Sequence, residues 1–70
     1  MEKWEKEMKR QVVEEQLGAW RFNLERTRIQ NKVALALDDK EMQGRVQAEA
    51  TRCIKAIECL EEMLKEVSNG

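Results

Sequence analysis

The 70-residue sequence contains no histidine, no proline and no tyrosine, and it has only three glycines. Histidine is the side chain that most often serves as a general base, so its absence argues against an enzyme. Proline and glycine punctuate chains of short elements, and their scarcity argues against such a fold. The remaining composition, 41% hydrophobic and 39% charged, is typical of long amphipathic helices.

Few stabilising devices other than a partner chain are available to so short a sequence. Residues 1–70 form a single domain at most, below the size at which one hydrophobic core is comfortably sufficient. The two cysteines, Cys53 and Cys59, lie six positions apart on different faces of a helix, which disfavours a disulfide. Two thiols also cannot complete a zinc site in one chain. We therefore expect no metal and no cofactor, and a homodimer or a helical protein partner.

Net charge and hydropathy indicate which partners and which cellular location to expect. Thirteen Lys and Arg residues against fourteen Asp and Glu residues give a net charge of -1, which argues against a protein dominated by phosphate binding. The sequence has no apolar run of the roughly 18 residues needed to span a membrane, and residues 1–10 lack the apolar stretch of a signal peptide. We expect a soluble, cytoplasmic protein without a membrane partner.

An aspartate-rich turn separates two helical segments. Asp38 is followed three residues later by Glu41, which resembles a capping box, and Leu37 with Met42 fits the accompanying hydrophobic staple. The pattern predicts Asp38 as the residue that caps a second helix, which then begins near Asp39.

Both segments carry apolar residues at the alternating spacings of four and three that are typical of a coiled-coil seam. In helix two these residues are Val46, Ala50, Cys53, Ile57, Leu60, Leu64 and Val67. In helix one they are Val13, Leu17, Trp20 and Leu24, and the polar residues Thr27 and Asn31 continue the register. The spacing predicts an all-α antiparallel hairpin with helix one at about 2–36, a turn at about 37–38 and helix two at about 39–67.

A second apolar set projects to another side of helix one. It consists of Trp4, Met8, Val12, Phe22, Ile29 and Val33, with Leu37 at its end. A single hairpin covers only one of the two faces, and an uncovered apolar stripe is an aggregation hazard. We therefore predict that these residues form a dimer or partner interface, in a four-helix bundle or a coiled-coil-like dimer. The alternative is a bend near Gly18 that folds both faces into a three-helix bundle.

Carboxylates are plentiful, but none is predicted to be catalytic or to bind metal. Glu14 with Glu15, and the group Glu58, Glu61 and Glu62, are interpreted as solvated residues off the apolar stripes. The sequence also lacks a glycine-rich phosphate loop and a serine nucleophile motif. We expect no enzymatic activity and no small-molecule substrate.

A basic stripe on helix one supports an alternative function. Arg21, Arg28 and Lys32 fall on one side of the helix, where they are candidate contacts for the phosphates of a nucleic acid. A dimeric nucleic-acid-binding regulator is thus the second hypothesis. The ordinary reading of the stripe is a charged face that pairs with the acidic second helix.

The favoured hypothesis is a non-catalytic protein–protein interaction module that acts through the apolar face of helix one. Such a module is an adaptor, an assembly factor, a chaperone or a regulator. In layout alone, the hairpin resembles small plasmid copy-control RNA-binding dimers and small hairpin co-chaperones of bacterial secretion systems. No motif is shared with either group, so the resemblance assigns no residue roles.

Overall fold

The computed structural model describes residues 2–69, which form two long helices joined by a short turn. Helix α1 spans Glu2–Ala36 and helix α2 spans Lys40–Asn69. The helices pack side by side in a rod with dimensions of 54 × 14 × 13 Å, so the long dimension is about that of α1 at 1.5 Å per residue. The predicted all-α antiparallel hairpin is confirmed, with α2 ending two residues beyond the expected Val67.

Helix α1 continues without interruption through Gly18. The alternative of a bend at this residue, with a third helix, is therefore wrong. The residues on both sides of Gly18 are ordinary helix formers, and one glycine costs only about 1 kcal/mol relative to alanine. A Cβ atom added at Gly18 would meet nothing within 4 Å, so no close approach within the hairpin requires the glycine.

The end of α1 adopts the Schellman arrangement. The N–H of Asp38 donates to the carbonyl of Leu35 at 3.1 Å, and the N–H of Asp39 donates to the carbonyl of Ala34 at 3.0 Å. Asp38 has a φ of 52°, the left-handed conformation that usually follows a helix and that glycine adopts most readily. Asp38 therefore terminates α1.

The cap of α2 is Asp39, and the prediction of Asp38 is wrong by one residue. Asp39 Oδ1 accepts a hydrogen bond from the backbone N–H of Met42 at 3.0 Å, the interaction that defines an N-cap. Glu41 then occupies the second helical position of α2, whereas a capping box requires the third. Leu37, the proposed staple residue, is 66% exposed.

The core is a single row of side chains between the two helices. Its buried members are Val13, Leu17, Thr27 and Ala34 from α1, and Val46 and Cys53 from α2. The other residues of the predicted seams are half-buried, because a pair of helices encloses its contact line on two sides only. The heptad seams thus form the contact between the two helices. The resulting core is only one row of side chains thick.

Two polar residues interrupt this row near the turn. Thr27 is buried, and its Oγ1 donates to the carbonyl of Asn23 at 2.7 Å. The Oδ1 atom of Asn31 is buried and has no hydrogen-bond partner in the described part of the chain. An unpaired buried oxygen lowers stability, so Asn31 is a weak point of the seam.

Neither helix contains a stretch, within residues 2–69, that is both long and apolar enough to cross a lipid bilayer.

Candidate interaction surface

The six apolar residues predicted to form an interface are all exposed on α1. We call them the outer face: Trp4, Met8, Val12, Phe22, Ile29 and Val33. Their exposed fractions lie between 46% and 69%. Helix α2 covers none of them to the degree expected of core residues, so within residues 2–69 the outer face has no intramolecular partner.

The heptad geometry explains why α2 cannot cover this face. With 3.5 residues per turn, the outer face is centred roughly 155° around α1 from the seam that packs on α2. A second helix in contact with the seam is therefore on the opposite side of α1. The hairpin therefore supplies a neighbour for one of the two apolar faces found in the sequence.

The gaps in the outer face are filled by three residues at heptad spacing. Glu15 and Ala19 lie between Val12 and Phe22, and Arg26 lies between Phe22 and Ile29. All three are exposed. Glu15 is exposed to solvent, as predicted, but the heptad spacing places it in line with the outer face. The sequence does show these positions, because the intervals of four and three continue through them. A search for apolar residues alone passes over the two charged ones.

Together with Leu37, these residues form a continuous line that we call the outer row. Its ten members are Trp4, Met8, Val12, Glu15, Ala19, Phe22, Arg26, Ile29, Val33 and Leu37. Trp4 and Leu37 stand at the two ends and are 65% and 66% exposed. The row extends over roughly 50 Å at 1.5 Å per residue.

The two charged members of the outer row have no ion-pair partner among residues 2–69. Neither residue takes part in the ion pairs of Arg21, Arg28, Lys40 and Arg52, and neither makes another polar contact among residues 2–69. Each of these two charges is thus available to a second molecule.

The basic stripe is largely engaged with carboxylates. Arg21 Nη2 lies 3.1 Å from Glu61 Oε2 of α2, and Arg28 Nη1 lies 2.8 Å from Glu25 Oε1 of α1. Lys32 is exposed. The expected pairing with the acidic second helix occurs at Arg21, whereas Arg28 pairs within its own helix.

A shallow groove beside the turn exposes an apolar residue that the sequence analysis did not single out. Leu35 is 57% exposed and borders this groove together with Asn31, Val46 and Ala50. Leu35 follows the seam residue Ala34 directly, so it lies at the edge of the contact with α2 and away from the outer face. It therefore provides a natural control for the outer face.

The chemistry-bearing side chains of α2 do not converge. Within the described residues 2–69, no three Cys, Asp or Glu side chains are grouped so that they could hold a metal ion. Cys53 and Cys59 are free thiols, the first buried in the seam and the second exposed. The outer face remains a surface feature for which the hairpin itself offers no explanation.

Comparison of the chain with protein-family models, with curated proteins and with solved structures finds no significant match.

Proposed function

We propose that this protein is a non-catalytic interaction module that binds a helix of another polypeptide through the outer face of α1. The observation that carries the proposal is the exposure of all six outer-face residues in a folded hairpin. An apolar row of this length, interrupted by charge only at Glu15 and Arg26, is rarely left in water. Tryptophan, methionine and phenylalanine are enriched where proteins bind each other.

The shape of the surface fits recognition of a helix. A straight α-helix that presents residues at intervals of four and three offers a partner helix a line of side chains to interlock with. An adaptor, an assembly factor, a small chaperone or a regulator works in this way. We place its action in the cytoplasm, because the two free cysteines fit a reducing compartment.

The charges on α1 favour this proposal over nucleic-acid binding. Arg21 and Arg28 already lie within 3.1 Å and 2.8 Å of carboxylate oxygens. Phosphate binding would have to replace these contacts, and the groove beside Arg21 also contains Glu58, Glu61 and Glu62. Binding through the outer face requires no such exchange.

Site-specific photo-crosslinking in cells tests the proposal. The photoreactive amino acid benzoylphenylalanine is introduced at position 22 in place of Phe22, which is 69% exposed, and separately at position 35 in place of Leu35 as the control. Because only the first position lies on the outer face, we expect protein adducts from position 22 and few or none from position 35.

The yields of the adducts from the two positions also define the result that would contradict the proposal. Adducts absent from position 22, or formed with equal yield from both positions, would show that the outer face is not a preferred contact. Circular dichroism of the purified variants checks that both hairpins remain helical. The mass of the adduct, twice the chain or another value, identifies the kind of partner without deciding the proposal.

A further inference from the structure

We infer that the partner of the outer face is a second copy of this chain, whose α1 packs antiparallel against the first along the outer row. The inference rests on the proposed function and names its partner. It is carried by two independent properties of the outer row: its spacing and the placement of its two charges.

The spacing of the outer row is the same from either end. From Trp4 to Leu37 the intervals are four, four, three, four, three, four, three, four and four. An antiparallel copy of the helix presents its residues in reverse order, so a palindromic row meets itself with every position opposite a counterpart. Layers of this kind are what knobs-into-holes packing requires.

The residues brought together by this alignment are complementary in character. In one half of the contact, Trp4, Met8, Val12, Glu15 and Ala19 of one copy face, in that order, Leu37, Val33, Ile29, Arg26 and Phe22 of the other. Four of these five layers are apolar on both sides. The smallest side chain, Ala19, faces the large ring of Phe22, which is the alternation of sizes that fills space between helices.

The remaining layer pairs opposite charges. Glu15 faces Arg26 of the second copy, and the two-fold symmetry repeats the pair, so a dimer contains two such contacts. Both side chains are exposed and unpaired within residues 2–69 of one chain. The hairpin therefore offers no internal role for either charge, whereas the antiparallel dimer uses both.

The charges also select the register and the orientation. A shift of the antiparallel pairing by one heptad in one direction places Glu15 against Val33 and Arg26 against Phe22. The opposite shift places Glu15 against Ala19 and Arg26 against Met8. A parallel, in-register pairing places each charge against its own copy. Since like charges repel and a charge against an apolar group loses hydration, only one antiparallel register satisfies the row.

This arrangement differs from a square four-helix bundle. Because the outer row and the seam lie on nearly opposite sides of α1, the two α1 helices form the middle of a flat layer. Each α2 then lies at an outer edge of that layer. The contact extends over roughly 50 Å, the length of the outer row at 1.5 Å per residue.

Charge exchange between two variants tests the inference. Glu15→Arg and Arg26→Glu are purified separately and examined by sedimentation equilibrium, alone and as an equimolar mixture. Each variant alone places like charges opposite each other twice, so its dimer dissociation constant should rise roughly a hundredfold over that of the wild type, as expected for like-charge contacts worth several kcal/mol. In the mixture, both pairs again join opposite charges, and dimers should return.

The matched control is Glu14→Arg, which makes the same charge change one residue away from the outer row and should dimerise like the wild type. Restoration in the mixture excludes misfolding of the single variants, because misfolded chains would not regain the dimer.

Single variants that dimerise like the wild type, or a mixture no more associated than its components, would overturn the register. A wild-type chain that is monomeric at every concentration would overturn the second copy as partner. The crosslinking from position 22 decides the proposed function separately.

Discussion

The guanidinium group of Arg52 on α2 lies over the indole ring of Trp20 on α1, with its carbon 5.5 Å from the ring centroid. The contact joins the two helices beside the half-buried middle of the seam, where the core is only one side chain thick. A cation over an aromatic ring at an exposed site is worth about 0.5 to 1 kcal/mol.

This contact gives the first prediction. Arg52→Ala should lower the free energy of unfolding by about 0.5 to 1 kcal/mol in urea denaturation. Arg45→Ala is the matched control, because Arg45 lies one heptad earlier on α2 and makes no ion pair or ring contact among residues 2–69. In a Trp20→Leu background the difference between the two alanine variants should shrink to the small contribution of the exposed Arg52–Glu49 ion pair, whose atoms lie 3.5 Å apart. Equal effects of both variants in the native background would contradict the assignment.

The two adjacent aspartates of the turn should respond in opposite ways. Asp38→Gly should raise the free energy of unfolding by about 0.5 to 1 kcal/mol, because glycine adopts the left-handed conformation of this position at lower cost. Asp39→Ala should lower it by about 1 kcal/mol, because the N–H of Met42 loses its acceptor, whereas Asp39→Gly should cost only a few tenths. Urea denaturation measures all three variants. A loss at position 38 and no loss at position 39 would restore Asp38 as the cap.

The buried oxygen of Asn31 should make its replacement stabilising. Asn31→Leu removes an unpaired acceptor and extends the apolar seam, so the free energy of unfolding should rise by about 1 to 3 kcal/mol. The comparison variant is Thr27→Val, which changes a neighbouring seam residue whose hydroxyl has an acceptor in Asn23 and should not be stabilising to this extent. Thermal unfolding compares the two, and destabilisation by Asn31→Leu would show that the asparagine side chain is satisfied in solution.

Much of the hairpin was predictable from the sequence because its seams repeat a simple period. Apolar residues at Val13 and Leu17, and at Val46 and Cys53, recur at intervals that only a long helix places on one side. The turn was less predictable. Asp38 and Asp39 have identical side chains, and only the backbone conformation at the end of α1 decides which of them caps α2.

The apolar members of the outer row could be predicted from the sequence, but its two charged members were missed. A search for apolar side chains passes over Glu15 and Arg26, although both keep the heptad spacing. That Gly18 leaves α1 straight also could not be read from local preferences, because a single glycine is compatible with a bend and with a continuous helix. Once α1 is known to be straight, Trp4 and Leu37 become ends of one row.

The two thiols should differ sharply in reactivity. Cys53 has no exposed surface and Cys59 is exposed, so a maleimide reagent should modify one thiol per native chain rapidly. The second thiol should react only as the hairpin opens, because modification requires access to the sulfur. Mass spectrometry over time follows both, with Cys59→Ser as the control that removes the rapid phase. Rapid modification of two thiols would contradict the packing of α2 on α1.

The most direct test of the outer face as the surface on which two copies meet is the solution mass across a dilution series, measured by light scattering. We expect the wild type to approach twice the chain mass of 8.3 kDa at high concentration and to dissociate on dilution. Ile29→Asp should be a monomer under the same conditions, while Leu35→Asp, at a residue of similar exposure, 57% against 61%, should match the wild type. A dimer that survives Ile29→Asp, or one that Leu35→Asp disrupts equally, would contradict the account.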